Sequence, residues 1–414
     1  MAKDKNIELL LDLLGRKGAE ALADELREAG ADEWQQIVDL AGYHGVAPLL
    51  YSRLKAFPAE TKIPADIFEQ LRDAYLQNGV RNTLVYHELS GVLKALADYS
   101  IPVVLIKGAY LAENVYRNIA LRPMQDIDIL LRKDDLQQGE KVLKGIGYSA
   151  SRDFLAGVDT DNYQHLLPLQ KKNAIPIEIH WYLGNPDAPF KLDLDGVWER
   201  AQICRIGAQE TLTLCPEDML LYFCIHCAYQ HSFEMGLLQF CDIRELLQEF
   251  ADEIDWGTVF MRASEWGCER CLYLTLRMTE ELTGVSLPER VRQQIDSEAI
   301  DPQIISAVYR HMFRSPDAGG LAPSLPRVME SEGIGEKVSV VAGRIFPNRK
   351  EMARLYPVEP DSTKVFLYYP VRFKDLLVRY GRGFWRMFAR DKATMESVEH
   401  RMKGEELRKW LGGR

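Results

Sequence analysis

No run of apolar residues in this chain approaches the roughly 18 that a bilayer-spanning helix needs, so no membrane span is expected. The first thirty residues, MAKDKNIELLLDLLGRKGAEALADELREAG, are charged and amphipathic. They lack the long apolar core and cleavage site of a secretory leader. Cysteine is scarce, with seven in 414 residues. An odd number in a long chain without a leader suits a reducing compartment rather than a disulfide framework, and a cytoplasmic location is expected. No internal repeat is visible. An excess of positive charge is missing too: 51 Lys and Arg stand against 61 Asp and Glu, a net charge of −10. A uniformly acidic surface would repel nucleic acid and anionic membranes. The charge is not uniform, however, because Pro370–Arg414 carries 12 basic and 6 acidic residues.

A hydrophobic content of 47% with 10% aromatics describes a folded chain, and 414 residues exceed one ordinary core, so two or three domains are expected. Leu9, Leu10, Leu13 and Leu14, then Ile37, Leu40 and Ala41, recur at helical spacing, and 1–100 reads as an N-terminal helical region. Pro102 marks a change of character. Over 101–185 the pattern predicts strand 102–107, helix 109–118, strand 127–132, helix 134–146 with Asp134 as its N-cap, and strands near 163–170 and 175–183. The last two are joined by the four-residue connection Lys171–Ala174. This mixture, with its terminal hairpin, predicts an α/β or α+β sheet domain, and α+β is the class expected. Residues 186–300 read as a helical region lining the site. Residues 301–414 form a C-terminal extension that becomes basic and aromatic near its end.

The most informative stretch is Ile101–Leu131. It reads as a strand ending at Lys107-Gly108, a helix, a loop holding Arg122, and a second strand carrying Asp126-Ile127-Asp128. A strand places residues i and i+2 on one side, so the Asp126 and Asp128 carboxylates leave one face together. Paired carboxylates repel unless a cation or proton lies between them. Mg²⁺ takes oxygen ligands and often joins carboxylates to substrate phosphates. The segment therefore points to metal-dependent phosphoryl or nucleotidyl transfer. By the same alternation Glu178 and His180 share a face opposite Ile177 and Ile179.

The residues Leu105-Ile106-Lys107-Gly108, Tyr116, Leu121–Met124, Asp126–Leu130 and Ile177–Trp181, continued by Glu217-Asp218, His226, His231 and Asp242, resemble the uncharacterised nucleotidyltransferase family of bacterial proteins. That family lies within the DNA polymerase β-like nucleotidyltransferase superfamily. The resemblance implies a small mixed sheet with one face open to nucleotide, and a triphosphate seated against the Gly108 turn and the backbone of Ala109, where free N–H groups favour an anion. Asp126 and Asp128 would bind Mg²⁺ (or Mn²⁺), with Glu178 as the third carboxylate and proton acceptor. Lys107 and Arg122 would hold phosphate oxygens. An NTP, ATP first among them, would be attacked at its α-phosphate by an acceptor hydroxyl, and pyrophosphate would leave. The chain departs from the superfamily in having Gly108-Ala109 where Gly-Ser or Gly-Gly is usual, and in the seventeen residues between Gly108 and Asp126.

Plainer readings stand beside these. The acids fit a solvated strand end, Glu178 and His180 an exposed sheet face, and Lys107 and Arg122 surface pairs. His226 and His231, five apart on one helix, point in different directions and read as core histidines or as residues behind the reacting groups. Asp242 reads as the partner of a cation or as a cap, with a site-lining role as the functional alternative. Cys224/Cys227 and Cys268/Cys271 could be drawn as a zinc site, but their helical setting favours buried small hydrophobes. The tail from Val365 to Lys392 could meet an anionic membrane surface or RNA; packing on the protein's own acidic body is the favoured reading. Two other functions remain open: nucleotide binding without turnover, and a membrane-surface interaction through the tail. The expected partners are a nucleotide and an unidentified acceptor, with no strong nucleic-acid signal.

Overall fold

A computed structural model describes residues 4–58, 61, 63–150, 164–313, most of 342–378 and 392–413. The N-terminal region is helical: α1 (Lys5–Leu11), α2 (Ala19–Glu28), α3 (Ala31–Tyr43), α4 (Ala47–Lys55) and the long α5 (Ala65–Ala97). The leucines that set its period, Leu9, Leu10, Leu13 and Leu14, are all buried. α5 also does polar work. Its buried Asn78 and Asn82 donate to the backbone carbonyls of Ala120, Ile119 and Arg122, and so fix the loop that carries Arg122.

Among the described residues the sheet has seven strands: β1 (Val104–Leu105), β2 (Ile127–Leu130), β3 (Ser149–Ala150), β4 (Leu169–Gln170), β5 (Ile177–His180), β6 (Gln202–Ile206) and β7 (Gln209–Thr213). Their spatial order is β3-β4-β5-β2-β1-β7-β6. β2 runs antiparallel to β1 and parallel to β5, so the expected α+β class with a mixed sheet is observed. Ile127 and Ile129 on β2 and Ile177 and Ile179 on β5 are 0% exposed. Burying each such side chain contributes about 1.5–3 kcal/mol. A one-residue slip would send these four outward and the carboxylates into the core, so the hydrophobic face fixes the register.

Between β1 and β2, Gly108–Tyr110 starts α6, which passes into a π-helical turn, Leu111–Val115, closed by Tyr116 N–H donating to Leu111 O at 2.8 Å. The α-helical period expected over 109–118 is therefore broken after one turn. The first strand is also shorter than 102–107, since Pro102 lies before it and the chain turns sharply at Lys107. α7 (Leu136–Gly145) follows a 3₁₀ turn over Lys133–Asp135. Asp134 lies inside that turn rather than capping the helix, because the preceding tight turn already supplies the helix entry.

The stretch from 186, expected to be helical, first gives α8 (Leu194–Arg200) and then the β6–β7 hairpin. Ile206 pairs with Gln209 around Gly207-Ala208, and Gly207 has φ +54°, which glycine adopts without steric cost. β7 pairs in parallel with β1, so the sheet extends past 185. Helices then resume with α9 (Pro216–Ile225), which continues as a π-turn over His226–Gln230. They go on through α10 (Leu238–Glu249), α11 (Trp256–Trp266), α12 (Glu269–Thr283), α13 (Glu289–Ser297) and α14 (Pro302–Met312). The last described helix is α15 (Lys392–Leu411). α12 packs on both α9 and α10. Cys224, Cys227, Cys268 and Cys271 are buried free thiols there, and burial pushes all four thiols up and keeps them neutral. No described helix is long and apolar enough to cross a membrane.

Candidate active site

The in-register pairing of β2 with β5 sets Asp128 directly opposite Glu178. A cavity of about 270 Å³ opens over this face and is lined by Lys107, Gly108, Arg122, Asp126, Asp128, Glu178, His226, His231 and Asp242. These residues come from distant parts of the sequence, and the cavity gathers them around one space. Ala109 and His180 do not line it. Ala109 is buried with its carbonyl accepting from Tyr86, and His180 is 1% exposed beneath Asp128.

Asp128 receives two donors on one oxygen: Lys107 Nζ at 2.7 Å and His180 Nε2 at 2.8 Å, both on Oδ1. Burial opposes the Asp128 charge, but the Lys107 ammonium and the His180 bond outweigh it and hold the carboxyl below its usual range. Burial likewise opposes the Lys107 charge, and Asp128 more than offsets this, so the ammonium persists. Asp126 lacks such partners. Burial and the neighbouring Asp128 charge push it above the usual carboxylate range. For Glu178, burial is outweighed by His180 and His165, and the carboxyl is lowered. The four groups thus share an incomplete neutralisation: Asp126, Asp128 and Glu178 face one lysine in a confined space.

That imbalance is what a divalent cation would correct. One ligand atom each from Asp128, Glu178 and His180 lies within 4.8 Å of the others. Since both hydrogen bonds fall on Asp128 Oδ1, Oδ2 is the oxygen left for a cation. Carboxylate oxygens suit Mg²⁺ or Mn²⁺. His180 uses Nε2 on Asp128, which casts it as the residue that orients this carboxylate.

Arg122 is placed differently from the expectation. Its guanidinium forms a fork on Asp242, Nε to Oδ1 at 3.0 Å and Nη2 to Oδ2 at 2.9 Å, and Tyr116 Oη donates to the same Oδ1 at 2.8 Å. Nη1 also donates to Pro123 O. A Cβ on Gly108 would lie 2.3 Å from Arg122 Nη1. The glycine is therefore required for the arginine to lie against the helix start, a role separate from close approach by a phosphate.

His226 and His231 meet edge to face with ring centres 4.4 Å apart. This corrects the expectation that they diverge. The π-turn adds a residue to the helical turn, and His231 N–H bonds to His226 O, so positions five apart come onto one side. Burial, then the Lys107 charge, holds both imidazoles neutral, with His231 lowered to about 4.

Sequence reasoning missed Gln164, His165, Phe223, Met235, Leu238, Gln239 and Ile243 on the cavity wall. Leu238, Gln239 and Asp242 are spaced three and four apart on α10, a signal available once Asp242 was placed. His165 had a weaker one: the hairpin brings it opposite His180 in an antiparallel bridge.

A family model described as uncharacterised nucleotidyltransferase matches residues 30–284. The chain belongs to this family. The enzyme is thus a nucleotidyltransferase, as the Asp-x-Asp strand and glycine turn led one to expect. No curated protein matches it. The solution structure of antibiotic-resistance factor ANT(2'')-Ia is similar at 11% identity and a TM-score of 0.31, covering 48% of this chain and 98% of that one.

Proposed function

We propose that the enzyme transfers a nucleoside monophosphate from an NTP, ATP in the first instance, to an acceptor hydroxyl with the help of Mg²⁺. The observation that carries this reading is the Asp128–Glu178 pair, held side by side by strand register with Lys107 beside it and Asp126 in the same cavity. Asp126, Asp128 and Glu178 would hold the cation, which when bound supplies charge neutralisation at the phosphates. Lys107 and the backbone at Gly108, which line the cavity where Ala109 does not, would receive phosphate oxygens. Arg122, committed to Asp242 through two nitrogens, would contribute its field more than a free fork. Glu178, kept ionised beside His165 and His180, is suited to take the proton from the acceptor hydroxyl. The acceptor oxygen then bonds to the α-phosphorus, the bond to the β-phosphate oxygen breaks, and pyrophosphate departs.

Incubation with labelled NTPs and cell extract tests the proposal. Label should appear on a product with wild type and not with Asp126→Ala/Asp128→Ala. ATP binding that needs Mg²⁺ but yields no pyrophosphate would favour the second reading, nucleotide binding without turnover. That reading draws on the Gly108-Ala109 departure and on the guanidinium packed over Gly108. The tail over 365–392, for which packing on the protein's own body was the favoured expectation and membrane or RNA contact the other, lies in part (377 and 379–391) outside the described residues. The helix that follows it, α15, packs against α14 and the His226–Gln230 turn.

A further inference from the structure

The C-terminal helix reaches the cavity wall. Leu407 and Leu411 of α15 are buried, and Arg270 Nη1 donates to Trp410 O at 2.6 Å, which seats the end of the helix. From this helix Arg408 extends to the π-turn that carries the histidines. Its Nε donates to Tyr229 O at 3.2 Å and Ser232 Oγ at 3.0 Å, and its Nη2 to Gln230 O at 3.3 Å.

These acceptors sit where the chain most needs them. A helix end leaves carbonyls without intrahelical donors, and a π-turn ends here at Gln230. His231 is followed by Ser232 and Phe233 with φ of +49° and +64°. Two consecutive non-glycine residues in the left-handed region are costly and persist only when surrounding structure enforces them. Phe233 is held from one side by its N–H on Cys227 O at 2.9 Å and by full burial. Arg408 holds the other side, and Gly404 lets α15 come close, since its Cβ would lie 3.1 Å from His311 and 4.0 Å from Ser232 Oγ.

We propose that Arg408 is a positioning residue for the active site: by joining Tyr229 O, Gln230 O and Ser232 Oγ, it fixes the π-turn that brings His226 and His231 together on the cavity wall. The C-terminal helix is then part of the machinery rather than an appendage. That these imidazoles face substrate rests on the nucleotidyl-transfer reading; that Arg408 holds their geometry does not.

The test uses the full chain with Arg408→Ala and Arg408→Lys, and three readouts: imidazole ¹⁵N–¹H spectra, Mn²⁺ binding, and ATP binding in the presence of Mn²⁺. Arg408→Ala should move the His226 and His231 signals, leave those of His165 and His180 in place, and leave Mn²⁺ affinity unchanged. ATP affinity should fall about tenfold, the size of one lost charge-assisted hydrogen-bond set. Lysine, a point charge without the fork, should restore less than half of this loss, and added methylguanidinium should restore more. If Arg408→Ala does not fold, Ser232→Ala removes one of the acceptors and should give the same pattern at smaller size. The proposal is overturned if the two histidine signals stay at their wild-type positions, or if they move while ATP affinity holds. Failure of wild type to bind Mn²⁺ or ATP counts against the transfer reading instead, and the histidine spectra still decide whether Arg408 holds the turn.

Discussion

On the sheet side of the cavity, Asp128 and Glu178 face each other across parallel strands whose opposite faces carry four fully buried isoleucines. On the helical side, His226 and His231 meet across an irregular turn that α15 holds from behind. The first arrangement is regular and over-determined, because the same alternation that sends isoleucine to one face turns carboxylate toward the cavity. The second has no such redundancy and depends on a few polar contacts from a distant part of the chain. A transfer site needs both: a rigid place for charge, and a wall that can differ from one acceptor to another without disturbing it.

The comparison can be broken most severely on the sheet side. Asp128→Asn combined with Glu178→Gln should abolish Mn²⁺ binding in calorimetry and lower transfer by about 10³-fold or more, while the fold persists. Retained metal binding in that variant would move the site away from the β2–β5 pair.

The next largest effect belongs to the junction between the two sides. Asp242→Ala strands the largely buried Arg122 guanidinium and frees Tyr116, and should cost about 3–5 kcal/mol in denaturant unfolding. Replacing both partners, Arg122→Met with Asp242→Leu, should recover much of this. A double variant no better than the single would show that Arg122 does more than neutralise Asp242.

Lys107 sharpens the comparison. Its ammonium holds Asp128 Oδ1 at 2.7 Å and competes with any cation for that carboxylate. Lys107→Met should therefore tighten Mn²⁺ binding by roughly tenfold, about one pKa unit's worth of interaction, and weaken ATP binding. Unchanged Mn²⁺ affinity would show that the lysine's charge does not bear on the cation held by that carboxylate.

The smallest effect is the pH response of the helical wall. His231 in the folded chain is lowered to about 4, below its ordinary value, by burial and Lys107. Between those two values the unfolded chain binds the extra proton, so this residue's contribution to stability falls as pH drops from neutrality toward about 4 and changes little below it. His231→Asn should flatten the acid limb of a stability-against-pH curve. Asp128 and Glu178 act in the same direction, their lowered values meaning stability present at neutral pH and lost in acid. A variant curve that overlays wild type would place the His231 ring in water.

Much of the sheet side was legible because period two is strict. Asp126-Ile127-Asp128 and Ile177–His180 each declared which residues share a face, and burial of the isoleucines enforced it. The hairpin through Lys171–Ala174 was legible from its turn residues. The β6–β7 hairpin was not, because Gln202–Ile206 and Gln209–Thr213 are short, and they join the sheet only through the pairing of β7 with β1, on which β6 then builds. The Arg122–Asp242 fork joins residues 120 positions apart, and no local pattern encodes such a separation. The histidine pair was misread for a specific reason: the α-helical angle was applied to a turn that contains one residue more.

The sequence by itself determined the family, the α+β class and the face on which the acidic residues stand, since alternation of apolar and charged residues is a local property that burial enforces wherever the strand goes. Tertiary structure alone decided that Lys107 neutralises Asp128, that Arg122 is tied to Asp242, that His226 and His231 meet, and that Arg408 bonds to the turn that carries them. Those are pairings of charges and hydrogen-bond donors across long separations, and their geometry exists only once the helices have packed around the sheet.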